Sequence, residues 1–143
     1  MMIQAQDINI KKILYATDLS DNARYVFAYA VSLAVKYSAS ITILHVVHEV
    51  PTFTDRSVAN YIEADIWAQI KKRHLEDARQ VLIGKRKEHL AIKEMLDQFA
   101  EKVQSADGAS KFDFDEVLVE IGNPVEVILE VAENRNCDII VMG

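Results

Sequence analysis

Ile13-Leu14-Tyr15-Ala16-Thr17-Asp18-Leu19-Ser20 is the stretch on which the reading of this chain turns. Ile13 to Ala16 are apolar without alternation, as in a strand covered on both faces. Thr17 to Ser20 then turn into a helix. Ser20 is a suitable N-cap, and Asp21 in the first turn suits the positive end of the helix dipole. Open α/β sheets bind ligands in the crevice outside the carboxyl ends of their parallel strands. A carboxylate at that point, Asp18, is therefore a candidate site residue.

Working outward, Asp21 to Tyr37 carries apolar residues at threes and fours (Val26, Phe27, Tyr29, Ala30, Leu33, Ala34, Tyr37), an amphipathic helix. Ser38-Ala39-Ser40 closes it, and Ile41 to Val47 is a second β-branched, apolar strand. Strand, helix and buried strand make a βαβ unit, right-handed in nearly every case. Far along the chain, Glu116 to Ile121 is a third strand. Gly122-Asn123-Pro124 follows, with Asn as N-cap and Pro at the first helical position. Val125, Ile128, Leu129 and Ala132 predict the apolar face of a helix running to about Asn134, and Cys137 to Met142 is a fourth strand. Four buried strands alternating with helices predict a parallel, doubly wound α/β sheet. The first and last strands are expected to be neighbours sharing one site.

Between strands two and three lies Ser57 to Ser105, with no proline and a single glycine, Gly84. Ile62, Ile66 and Ile70 form one helical stripe; Ile92, Leu96, Phe99 and Val103 form another. One continuous helix would be a rod of roughly 73 Å, against a radius of gyration of about 14–15 Å for a compact chain of this length. A break near Gly84 to Glu88 is expected, giving two helices, or else an arm packed on a partner.

The chain has 143 residues, half of them hydrophobic and 27% charged, with a net charge of −6. That suits one globular domain spanning residues 1–143. The acidic balance argues against a dedicated nucleic-acid or anionic-membrane binder. The single cysteine, Cys137, excludes an intrachain disulfide and fits a reducing compartment. With no apolar run near the length of about 20 residues that spans a bilayer, and no signal-peptide pattern at the N-terminus, the expectation is a cytoplasmic, soluble protein.

Four pieces in order, Lys12 to Ser20, Ile41 to Val47, Gly122-Asn123-Pro124 with Ile128, and Cys137 to Gly143, closely resemble the universal stress protein family. The resemblance covers most of the chain outside the long helical region, which exceeds the usual family helix. It implies a three-layer, Rossmann-like, adenine-nucleotide alpha-hydrolase-like fold with five parallel strands, and a homodimer formed through the final strand. It implies ATP or AMP as ligand, with Mg²⁺ accompanying ATP. In family members that bind nucleotide, the last-but-one strand runs into G-x2-G-x9-G-[ST], whose amides hold the phosphates. Gly143 matches the first glycine. The rest of the motif and the fifth strand are not in this sequence, so only the base half of such a site is legible in it.

The resemblance assigns site roles residue by residue. Asp18 would accept a hydrogen bond from the base amine; from the isolated sequence, helix capping is the slightly favoured reading. Ala16, with Thr17 beside it, would line the base pocket through its backbone, or simply pack in a strand. Val46 would read the adenine edge with its backbone, or be a core valine. Met142 and Gly143 would lie by the ribose and first phosphate, or end a strand in an ordinary loop. A metal site from His45, His48 and Glu49 lacks further ligands, and His45 reads as a packed polar residue at the site rim. Cys137 reads as an inert thiol, and Trp67 as a core or dimer contact. The basic clusters Lys71-Lys72-Arg73 and Lys85-Arg86-Lys87 read as a solvated helix face. A receiver domain is excluded, because its phospho-accepting Asp would end strand three, where Glu120-Ile121-Gly122 stand. Three functions remain: a nucleotide-binding stress protein, a non-binding member acting by protein contact through 57–105, and a slow ATPase. The last has no visible nucleophile–base pair.

Overall fold

A computed structural model describes residues 4–47, 58, 60–78, 86–106 and 112–143. After a short 3-10 turn at Ala5–Asp7, the elements are β1 (Lys12–Thr17), α1 (Asp21–Tyr37), β2 (Ser40–Val47), α2 (Ala64–Ala78), α3 (Arg86–Ala106), β3 (Asp113–Ile121), α4 (Pro124–Asn134) and β4 (Ile139–Val141). The four strands form one sheet in the order β3-β2-β1-β4, and all pairings are parallel. β1 and β4 are neighbours, as their sequences suggest.

The junction of β1 and β4 is pinned at their starts. Asp138 donates its amide to the Lys12 carbonyl (2.8 Å). Its Oδ2 accepts the amides of Lys11 (2.8 Å) and Lys12 (3.0 Å). These bonds to the charged form hold the Asp138 carboxyl below its ordinary range.

Alternation along the strands separates two faces. On one, Ile13, Tyr15, Ile41 and Ile43 pack with Phe27, Ala30 and Ala34 of α1 and with α2 and α3, through Trp67, Ile70, Ile92, Leu96 and Phe99. On the other, Leu14, Ala16 and Leu44 pack against Ile128 of α4. The central strands β1 and β2 are buried on both faces. The expectation of four buried strands does not hold for β3 and β4. In β3 only Val117 is buried, and β4 is half-buried throughout. Both sit at sheet edges, where one side has no neighbouring strand among the described residues.

The helix starts follow their caps. Ser20 Oγ accepts the Ala23 amide (3.0 Å) and Asn123 Oδ1 accepts that of Glu126 (3.2 Å). The apolar faces are narrower than their sequence stripes. In α1 the buried residues are Ala23, Phe27, Ala30 and Ala34. Tyr29 lies on the opposite side, exposed, edge-on to Tyr25. In α4 only Ile128 is buried, while Val125 and Leu129 are exposed.

The long region folds back on itself. Arg73 pairs with Glu94 at 2.5 Å, and His74 Nε2 lies 2.5 Å from the other oxygen of the same carboxylate. In one rod these positions would stand roughly 30 Å apart. Ile62, Ile70, Ile92, Leu96 and Phe99 are buried as their stripes predict, and so is Trp67. The expected break falls partly on residues 79–85, which lie outside the described residues; 86–88 already belong to α3.

Candidate functional site

β1 ends on Thr17, and the turn after it is built from its own side chains. Thr17 Oγ1 accepts the Leu19 amide (3.0 Å), and Asp18 Oδ1 accepts the Ser20 amide (2.9 Å). Leu19 is left-handed, with φ 66°, a conformation costing a non-glycine residue about 1–2 kcal/mol. Its fully buried side chain offsets that cost. The turn leaves Asp18 exposed at the carboxyl end of β1. Its Oδ2 has no hydrogen-bond or ion-pair partner among the described residues.

A cleft of about 130 Å³ opens beside this turn, lined by Ala16, Thr17, Asp18, Leu44, Val46, Pro124, Ile128, Met142 and Gly143. All six residues singled out in the sequence, Ala16, Thr17, Asp18, Val46, Met142 and Gly143, meet in it. Three further ones, Leu44, Pro124 and Ile128, were legible only as packing or helix-start positions. They enter because α4 lies across the ends of β1 and β2. The walls are chiefly aliphatic, and Asp18 is their one charged group.

Two backbone features complete the geometry. The last β1–β2 pair is Thr17 with His45, so Val46 lies one position beyond the end of the β1 ladder. Val47 carbonyl accepts the Gly122 amide on the β3 side (3.1 Å). Strand alternation therefore turns the peptide groups of Val46 the other way, toward the end of β1. At the end of β4, a Cβ on Gly143 would stand 2.5 Å from Val26 Cγ2 and 3.1 Å from Asn22 Nδ2. Only glycine lets this backbone lie so close to the first turns of α1.

His45 is buried, and its Nδ1 is 2.8 Å from the Thr17 carbonyl. This makes it a structural partner of the β1 end. His48 and Glu49 lie outside the described residues. Among the described residues no group of three or more His, Cys, Asp or Glu is placed to hold a metal. Cys137 is half-buried, and burial raises its thiol above the ordinary value, which disfavours the reactive thiolate. No described helix is long and apolar enough to cross a membrane.

Behind the turn lies a set of buried hydroxyls that sequence reading did not find. Tyr61 Oη is 2.7 Å from Thr17 Oγ1 and 3.3 Å from Tyr15 Oη, and Tyr15 Oη donates to the Ala23 carbonyl. Burial pushes both phenols above their ordinary values, so both remain protonated donors. Tyr15 reads as one residue of an apolar run, and Tyr61 stands far away in the long helical region, off both of its apolar stripes.

Residues 9–143 match the model of the universal stress protein family. The chain is 28% identical over 133 residues to universal stress protein Sll1388 of Synechocystis sp., covering 92% of this chain and 77% of that protein. Among solved structures, hypothetical protein MJ0577 superposes with a TM-score of 0.54 at 22% identity, over 95% of this chain and 76% of that one. A universal stress protein in complex with cAMP gives 0.55 at 20% identity, over 95% and 77%. UspA of Lactobacillus plantarum gives 0.53 at 21%, over 94% and 77%. These structures share the doubly wound, Rossmann-like fold. With its family model matched over nearly the whole length and its parallel sheet in place, the chain belongs to the universal stress protein family.

Proposed function

We propose that the cleft at the ends of β1, β2 and β4 binds the adenine end of a nucleotide, ATP or AMP, and that the protein serves stress response in the cytoplasm through this binding. The observation that carries the reading is the convergence of Asp18, Val46 and Gly143 on one aliphatic cleft. Aliphatic walls suit the faces of a planar base. The unpartnered Asp18 oxygen suits an exocyclic amine, and the Val46 peptide suits the base edge. At about 130 Å³ the cleft is smaller than the roughly 300–1,000 Å³ typical of small-molecule pockets. It has room for a base, with ribose and phosphates leading out past Met142 and Gly143. The cAMP complex of a protein with this fold supports the ligand class. Asp18 is the cleft's one carboxylate, so Mg²⁺ would arrive with the phosphates of ATP, as it commonly does. A homodimer belongs to the same reading, supported by the exposed apolar side chains of Val125 and Leu129 on α4.

A ligand that binds the folded state alone stabilises it by about 2.7 kcal/mol at a hundredfold excess over Kd. For a chain of this size that raises the melting temperature by roughly 5–10 °C. Millimolar ATP and AMP should produce this rise and GMP much less. No rise with either adenine nucleotide contradicts the reading.

A second reading, a module acting by protein–protein contact, draws on a groove of about 390 Å³ lined by Ile62, Glu63 and Ile66 on one side and by Gln98, Glu101 and Lys102 of α3 on the other. It gains if adenine nucleotides leave the melting curve unchanged.

A further inference from the structure

We propose that Tyr61 is a positioning residue for the base-binding cleft, its buried hydroxyl setting through Thr17 the turn that presents Asp18. The inference rests on the nucleotide reading for its ligand half alone.

Three hydroxyls and one amide meet behind β1. Tyr15 Oη donates to the Ala23 carbonyl, so its oxygen is left to accept. Tyr61 Oη, 3.3 Å away, can then donate to Tyr15, and Thr17 Oγ1 to Tyr61 across 2.7 Å. In this order every hydroxyl donates once, and Thr17 keeps a lone pair for the Leu19 amide (3.0 Å). Reversing the Tyr61–Thr17 bond would leave Tyr15 without a donor and require another acceptor for the Thr17 proton. Thr17 to Tyr61 to Tyr15 to Ala23 is thus the order that satisfies all three hydroxyls at once.

Its effect falls on the cleft. Leu19 is held left-handed by the Thr17 oxygen, and Asp18 is the residue between them. Tyr61 enters from the segment leading to α2 and packs edge-on against Phe99 of α3, with ring centroids 5.1 Å apart. The helical region is thus wired to the residue that meets the base. A shift of α2 and α3 that withdrew the Tyr61 hydroxyl would free the Thr17 rotamer and loosen the turn.

The test uses Tyr61→Phe, which keeps the ring on Phe99 and deletes the hydroxyl, with Thr17→Val and the conservative Thr17→Ser. Two quantities are measured on the same proteins: amide hydrogen exchange at Leu19 relative to the amides of α1, and affinity for AMP. Faster exchange confined to the turn is expected in Tyr61→Phe and Thr17→Val. AMP affinity should be about fivefold weaker, the scale of one neutral hydrogen bond. Thr17→Ser, which keeps the hydroxyl, should keep the slow Leu19 exchange of the parent. A purely structural role would instead speed exchange across α1 as well, and that result overturns the proposal. So does unchanged Leu19 exchange in Tyr61→Phe, or faster exchange with unaltered affinity. A parent protein that binds no AMP overturns the nucleotide reading and the ligand half of this proposal, while Leu19 exchange still decides whether Tyr61 sets the turn.

Discussion

Asp18 Oδ1 accepts the Ser20 amide at 2.9 Å, while Oδ2 has no hydrogen-bond or ion-pair partner among the described residues at the cleft that Asp18 lines. Bonding the turn and meeting the proposed ligand are therefore not alternatives for this residue: one oxygen is taken by the Ser20 amide and the other is left for a base amine. The two roles separate in the right substitution. Asp18→Asn can keep an oxygen on the Ser20 amide while giving up the charge. Its melting temperature should stay within about 2 °C of the parent, as for an exposed substitution. A hydrogen bond to a charged group contributes about 1.5–3 kcal/mol, so AMP affinity should fall about 10- to 100-fold. Calorimetric titration checks the second, a thermal melt the first.

Asp138 should show itself in acid. Its carboxylate is stabilised by the amides of Lys11 and Lys12 at the β1–β4 junction, so its folded pKa lies below its unfolded value. The contribution is complete above the unfolded pKa of about 3.9 and is lost as pH falls through the folded one. Asp138→Asn should melt below the parent by a constant margin at neutral pH, and that margin should shrink below about pH 4. A margin independent of pH would assign the effect to geometry rather than charge.

Thr42 carries a buried hydroxyl with no hydrogen-bond partner among the described residues. It sits in β2 opposite Leu14, on the face that α4 covers. Replacing an unsatisfied buried hydroxyl with an apolar group of the same shape removes a desolvation cost of about 1–3 kcal/mol. Thr42→Val should raise the denaturant midpoint with an unchanged slope. A fall would show that an ordered water satisfies the hydroxyl.

The legible part of this molecule is the part whose partners are close in sequence. The β1 turn, the Ser20 and Asn123 caps and the strands β1 and β2 could be read because each rests on local chemistry. The neighbour relation of β1 and β4 is the exception, read from the likeness of two apolar stretches far apart in the chain. Exposure was harder. Tyr29, Val125 and Leu129 sit on apolar stripes yet lie exposed, because a stripe records what a helix can bury and not how much sheet lies beneath it. The half-buried state of β3 and β4 follows from strand order, which no single strand encodes. The Tyr61–Thr17 bond spans 44 residues and joins two ordinary-looking positions, so nothing local announces it. Asp18 follows already from its place at the carboxyl end of β1, whereas the family resemblance supplies the other cleft residues predicted from the sequence; Leu44, Pro124 and Ile128 needed the packing of α4 across the strand ends.

The central claim is that a base lies among Asp18, Val46 and Gly143. Backbone amide shifts followed during titration with AMP test it directly. Saturable shifts concentrated at Asp18, Val46, Met142 and Gly143, abolished together in Asp18→Ala, are the predicted result. No saturable shifts up to millimolar AMP, or shifts confined to α2 and α3, would contradict it.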